Sequence, residues 1–237
     1  MAVGTLTALP VPPPSRIDRR VASGAMLLAP VAVVPLAALA GLVVWGGHLL
    51  GLPGLASAGV AVGVVALGSR GLHLDGLSDT ADGLGASYDR ERALEIMRRG
   101  DSGPTGVATL VLVLIVQCGA LSAGGWGAAV AGVLAGRCVL SLCCARGVPS
   151  ARPSGLGATV AGSVPIPLAV LVFALAAGLA ALLPGLPWWR GPLAVGIGYL
   201  AAGVLLWRCT RRLGGITGDV LGACVEVATA AVFLGLA

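Results

Sequence analysis

The sequence predicts an all-α fold, a polytopic transmembrane helix bundle of about seven spans. Its N-terminus is expected on the cytoplasmic side, with a short amphipathic helix on the cytoplasmic surface. Three observations lead there. Hydrophobic residues make up 57% of the chain and charged residues 11%, with a mean hydropathy of +0.97, a membrane-protein composition. Residues 21–69, 102–136 and 153–189 contain no Asp, Glu, Lys or Arg; a span takes about 20 apolar residues, so the first run holds two crossings. Finally, runs of Ala, Val, Leu and Gly without barrel-like alternation read as helices, which satisfy their own backbone inside lipid. Residues 1–237 are read as one integral-membrane domain, with 1–20 as a cytoplasmic N-terminal segment.

Crossings placed near 21–45, 52–69, 104–124, 126–145, 165–183, 191–208 and 218–236 leave 13 of the 15 basic residues, all Arg, on one side or at its edge. Arg190 alone lies opposite, and Arg137 lies within a crossing. That bias identifies the cytoplasmic side and places the chain in the cytoplasmic (inner) membrane. The formal charge of +5 therefore reflects topology and contact with the lipid bilayer, and nucleic acid is not an expected partner. The six cysteines, Cys118, Cys138, Cys143, Cys144, Cys209 and Cys224, all fall in crossings without a C-x-x-C pair. They are expected as buried packing groups, with no disulfide framework or zinc site. No removable signal peptide is expected, because no basic stretch precedes a short apolar core and cleavage site.

Taken in order, residues 1–20 form an interfacial segment that breaks at the Pro10–Pro14 run, with Arg16, Arg19 and Arg20 against anionic headgroups. Pro30 and Pro35 kink the first crossing. The second delivers the chain to Arg70, directly before Asp75, Asp79 and Asp82. A helix over this stretch puts the three carboxylates within roughly 60° of one another over about 10 Å. Seven of the ten acidic residues lie between Asp75 and Asp101. Crowded hard oxygen ligands suit magnesium, or manganese in its place, bound with a substrate phosphate; a solvated acidic loop is the alternative. Tyr88 to Arg99 reads as a surface helix, with Glu95 in register with Arg98 and Arg99 and its charges solvated.

Gly100 to Gly106 makes a Gly-rich turn into the third crossing, where the N–H groups near Gly103 and Gly106 could receive phosphate oxygens. Mid-crossing Arg137 is either paired with Glu226 or clamps an anionic group. Arg152, in a loop from Arg146 to Gly157, suits bidentate phosphate contact or membrane anchoring. Thr217 is an N-cap for the last crossing, where Gly218 and Gly222 allow a close helix neighbour. Asp219 and Glu226 share a face there, Glu226 about 10 Å deeper.

Carboxylates holding a divalent metal, together with arginines, are an apparatus for moving a phosphoryl-linked group. The expected metal residues are Asp75, Asp79 and Asp82. Arg137, Arg152, Gly103, Gly106 and Glu226 are the expected substrate contacts, and His73, Asp82 and Asp219 the expected catalytic groups. His73 is either a general base or a packing partner, since on a continuous helix it points about 120° from Asp79 and about 160° from Asp75.

The run G-L-H-L-D-G-L-S-D-T-A-D-G-L at 71–84 resembles the signature of the cobalamin synthase family, the adenosylcobinamide-GDP ribazoletransferases. So do T-x-L-P-V-P at 7–12, A-R-P-x-G-L-G at 151–157 and G-G-x-T-G-D-x-L-G-A-x-x-E at 214–226. The resemblance implies a magnesium-dependent enzyme joining adenosylcobinamide-GDP to α-ribazole or its 5′-phosphate and releasing GMP. It also implies metal and diphosphate roles for Asp75, Asp79 and Asp82, and a shared cavity for Arg137, Arg152 and Asp219. The family pattern D-S-R-x-G-x-x-G is displaced here: Gly103 and Gly106 align, but Asp101 and Ser102 sit two places late, which leaves Asp101 without a carried-over role. Two other readings stand beside this one. A CDP-alcohol phosphotransferase-like lipid enzyme would need an Ala-Arg pair shortly after Asp75-Gly76, where this chain has Ser78-Asp79-Thr80, and a cation-coupled transporter would need internal repeats that the chain lacks. Association into a homo-oligomer is left open.

Overall fold

The structure, a computed structural model, describes all residues other than Pro13, Ser15 and Ser87. Those residues fall in or beside the expected proline break and the expected surface helix, so that part of both expectations lies outside the described residues. Among the described residues there are helices and two isolated bridges, Ala145 with Val164 and Ser150 with Ile216, but no strand.

A short helix α1 (Ala2–Leu6) packs its Leu6 inward. The first crossing is divided into α2 (Arg19–Leu27), α3 (Ala29–Ala32) and α4 (Val34–Leu49). Pro30 and Pro35 each sit in the first turn of the segment they open, where a missing N–H costs nothing, and they break the helix before them. The Asp18 carboxylate caps α2 by accepting from the N–H groups of Arg20 and Val21, both at 2.9 Å. Helix α5 (Gly54–Gly68) returns across the bundle, and positive φ angles at Arg70 (57°) and Gly71 (67°) turn the chain. The next helix, α6 (Leu72–Ala86), runs 90° from α5. There follow α7 (Arg90–Ile96), α8 (Pro104–Ala123), α9 (Trp126–Cys143), α10 (Leu156–Val160), α11 (Ile166–Ala180), α12 (Arg190–Leu213) and α13 (Gly218–Leu236).

Each of the seven expected crossings thus holds an apolar helix. Four of these, α8, α9, α12 and α13, are long enough to cross a membrane unaided, and the bent pair α5–α6 makes five if counted as one span. Helices α4 and α11 are apolar but shorter, at 16 and 15 residues. Helix α6 bends away from α5 and packs near the first turns of α8 and α13, in a stretch that lies outside the crossings expected from the sequence. All six cysteines are free, and five are buried.

Helix α13 is the centre of the bundle, packed against α6, α8, α9 and α12. Its contact with α6 is a near-backbone one. A Cβ on Gly76 would stand 2.6 Å from the Asp219 carbonyl oxygen, and one on Gly222 would stand 3.0 Å from the His73 Cα. The expected glycine-mediated approach is therefore made by Gly222, and α6 is the neighbour.

Exposed arginines also bond to other segments of the protein. Arg19 donates to the Gly162 carbonyl at 2.6 Å and Arg70 to the Gly4 carbonyl at 2.8 Å, which ties the N-terminal segment to the bundle. Arg16 remains exposed, beside Asp18. Arg190, the one basic residue at the far end, donates to the Gly235 carbonyl near the C-terminus of α13 at 3.3 Å.

Because backbone atoms face Gly76, Gly76→Ala is expected to lower the thermal unfolding midpoint in detergent, at a cost of about 1–3 kcal/mol. Gly59→Ala, which meets open space, is expected to be neutral or slightly stabilising.

Candidate functional site

Helix α6 delivers its polar residues in two directions. Asp75, Asp79 and Asp82 do share a helix, as their spacing predicts, but they do not share partners. Asp82 is buried, and its carboxylate accepts the N–H groups of Gly103 at 2.7 Å and Gly106 at 2.8 Å. It therefore caps α8. The first N–H groups of a helix lack internal acceptors and sit at the positive end of its dipole, so the nearest carboxylate is drawn to them. This corrects two expectations. The N–H groups of Gly103 and Gly106 are occupied by Asp82 and do not stand open for phosphate, and Asp82 is committed to α8 and does not turn into the cleft. Ser78 supports the same seam through Ser102, Oγ to Oγ 3.4 Å.

Asp75 and Asp79 instead face α13 and the loop before α10. Asp75 is exposed, Asp79 is buried, and Asp219 lies half-buried at the start of α13. Thr217 caps that helix, accepting from the Val220 N–H at 3.2 Å, and its hydroxyl donates to Asp219 Oδ2 at 3.1 Å. Arg152 donates to the same oxygen at 3.4 Å and to the Leu94 carbonyl at 3.0 Å. Asp75, Arg152, Asp219, Ser150, Ser154 and Thr217 line a pocket of about 230 Å³. Burial, then the charges of Asp75, Asp219 and Asp82, push the Asp79 carboxyl up to about 6, against a smaller opposing pull from Arg152. One arginine is left to balance a group of carboxylates.

The loop that carries Arg152 is held from behind. The Ala151 N–H donates to the Ile216 carbonyl, and the Ile216 N–H to the Pro149 carbonyl, both at 2.9 Å. Arg90 of α7 donates to the carbonyls of Leu213 at 2.8 Å and Ala151 at 3.2 Å, locking both loops together. The sequence reading missed this: Arg90 was one charge among several on a helix expected to be solvated. Glu95 does pair on the outer face of α7, but with Arg92 and Arg99, not with Arg98 and Arg99.

A second polar group lies deeper. Arg137, at 1% exposure, is hydrogen-bonded to His73 Nδ1 at 3.2 Å. Its expected direct pair with Glu226 is not formed. Glu226 Oε2 accepts from Gln117 Nε2 at 2.8 Å, and Oε1 stands 4.0 Å from His73 Nδ1. Gln117 was also missed, although a lone amide in an uncharged span is itself a signal. His73 thus points into the bundle, away from Asp79.

Among the described residues no three His, Cys, Asp or Glu side chains converge on a common metal position. The donor chemistry nonetheless fits a divalent ion. Asp75, Asp79 and Asp219 are hard oxygen donors with more negative charge than Arg152 balances, beside a pocket with room for a phosphate to complete the coordination.

Opposite stability effects are expected along α6. Asp82→Ala removes two charge-assisted bonds and should cost about 2–4 kcal/mol. Asp79→Asn relieves repulsion and should raise stability above pH 6 by on the order of 1 kcal/mol after solvent screening. That gain should fade as pH falls below 6, where Asp79 is already protonated, as thermal melts in detergent across pH would read.

The family model for cobalamin-5-phosphate synthase matches residues 1–237. An adenosylcobinamide-GDP ribazoletransferase of Nocardioides sp. is 49% identical over 238 residues, covering 100% of this chain and 96% of that relative. A relative of the same description from Frankia casuarinae is 41% identical over 254 residues, covering 98% and 91%. One from Pseudomonas entomophila is 37% identical over 249 residues, covering 100% and 97%. No solved structure matches the chain.

Proposed function

The chain belongs to the cobalamin-5-phosphate synthase family, and from that membership we infer that it is a membrane transferase of late cobalamin synthesis. It joins adenosylcobinamide-GDP to α-ribazole, or to α-ribazole 5′-phosphate, and releases GMP. The observation that supports placing the reaction at the arginine-rich end is the facing of Asp75, Asp79 and Asp219 with Arg152 beside the 230 Å³ pocket. The same arginine bias supports a cytoplasmic (inner) membrane location with the catalytic end toward the cytoplasm.

In the reaction a ribose hydroxyl attacks the phosphate attached to the cobinamide side chain; the new P–O bond forms as the bond to the GMP phosphate breaks. Asp75 and Asp79, together with oxygens of the diphosphate, would hold magnesium, with manganese as substitute, which supplies charge neutralisation on the diphosphate. Arg152, already ordered by the Leu94 carbonyl, grips non-bridging oxygens of the same group. In this reading Asp219 accepts the hydroxyl proton, which its alignment by Thr217 and Arg152 supports. Asp82 serves the site indirectly by fixing α6 against α8. Nothing in this arrangement favours the lipid-enzyme or transporter readings.

Purified protein given adenosylcobinamide-GDP and α-ribazole is expected to release GMP, to stop in EDTA and to recover with Mg²⁺ or Mn²⁺. Asp79→Ala should lose turnover by about 10²-fold or more while still inserting, and Arg152→Ala should lose a similar factor in kcat/KM. Absence of GMP release would reject the transferase reading. Undiminished release in EDTA would reject the metal.

A further inference from the structure

We infer that His73 acts on substrate as a hydrogen-bond donor and not as a proton acceptor, with Arg137 as the positioning residue that holds it so and Glu226 and Gln117 aligned behind. The substrate part of this inference rests on the transferase reading above; the state of the imidazole does not.

A guanidinium in a protein is always charged and has only N–H donors. Arg137 Nη2 stands 3.2 Å from His73 Nδ1, so Nδ1 must present its lone pair. A neutral imidazole with Nδ1 unprotonated carries its hydrogen on Nε2. The competing arrangement, Nδ1–H donated to Glu226, finds the nearer carboxylate oxygen at 4.0 Å, beyond hydrogen-bond reach. Glu226 is turned elsewhere: Gln117 Nε2 donates to its Oε2 at 2.8 Å and stands 3.3 Å from its backbone carbonyl. Gln117 thereby keeps the carboxylate from claiming the ring.

His73 Nε2 is buried and has no partner, although the residue is only 3% exposed. An orphaned buried donor costs free energy unless something fills it. His73, but not Arg137, lines a cavity of about 20 Å³ together with Thr5, Leu6, Met26, Leu140 and Leu221. That is room for about one non-hydrogen atom. The cavity adjoins the 230 Å³ pocket across Leu72, Leu156 and Gly218. Mostly apolar walls, the neutral Thr5 and the one imidazole N–H select an uncharged acceptor atom. Two substrate parts have that chemistry: a ring nitrogen on the aromatic base of α-ribazole, and a carboxamide oxygen on the corrinoid.

The chain has two histidines, so ¹⁵N-histidine-labelled protein in detergent gives two ring spectra, assigned with His48→Asn. His73 is expected as a single neutral form protonated at Nε2, and Arg137→Met is expected to release Nδ1 and mix the two tautomers. A proton on Nδ1 in the wild type overturns the inference, whatever the enzyme does. In the transfer assay His73→Gln, which places an amide N–H near Nε2, should keep more of the substrate affinity than His73→Ala does. His73→Ala should raise the KM of one substrate about tenfold or more, the worth of a buried hydrogen bond. A rise for α-ribazole assigns the base as occupant, and a rise for adenosylcobinamide-GDP assigns the corrinoid. Equal loss of kcat in both variants, on the order of 10²–10⁴-fold with KM unchanged, would restore His73 as the base. No change in either KM or kcat would leave only a buried water on Nε2 and end the substrate role.

Discussion

The bond between the Asp82 carboxylate and the N–H groups of Gly103 and Gly106 sets how α6 meets α8, and the rest of the polar architecture follows from it. A helix start in an apolar bundle must find acceptors for its free N–H groups, and a carboxylate that meets them is worth more there than in water. With Asp82 anchored, the helical repeat carries Asp79 and Asp75 toward α13 and sends His73 into the interior. Gly76 and Gly222 let α6 and α13 approach to backbone contact, so Asp219 arrives beside Asp79 without a side chain between the helices.

Arginine has a broader role here than marking a membrane side. Arg19, Arg70, Arg90 and Arg152 all donate to backbone carbonyls of other segments. Loops at the end of a helical bundle leave carbonyls without internal partners, and a planar guanidinium can serve two at once. Arg90 does so for Leu213 and Ala151, and Arg152 joins α7 to Asp219. The loop side of the pocket, from Ser150 to Gly155 and at Ile216 and Thr217, is thereby tied to the helices that form the rest of its wall.

The carboxylates that face Arg152 are destabilising as they stand. Burial and repulsion hold the Asp79 carboxyl near 6, a cost to the fold that the proposed cation would offset. Sites that bind multivalent ions commonly keep such unbalanced charge, and their host proteins give up stability for it. The deeper group of His73, Arg137, Glu226 and Gln117 is closer to neutral, one cation against one anion, and it can therefore lie inside the bundle.

Hydropathy, the prolines of the first crossing, the Thr217 cap and the Asp75–Asp79–Asp82 spacing were legible in the sequence, because each depends on neighbours within a few residues. The same is true of the family motifs and of the crowding near α6. Partner choice was not legible. Whether Asp82 meets a metal or Gly103, whether Arg137 meets Glu226 or His73, and whether Arg90 meets water or Leu213 all depend on the crossing of helices far apart in the chain. Helical periodicity assigns a side chain to a face; what that face touches is decided by interhelical distance, which small residues such as Gly76 and Gly222 control only once both helices are packed.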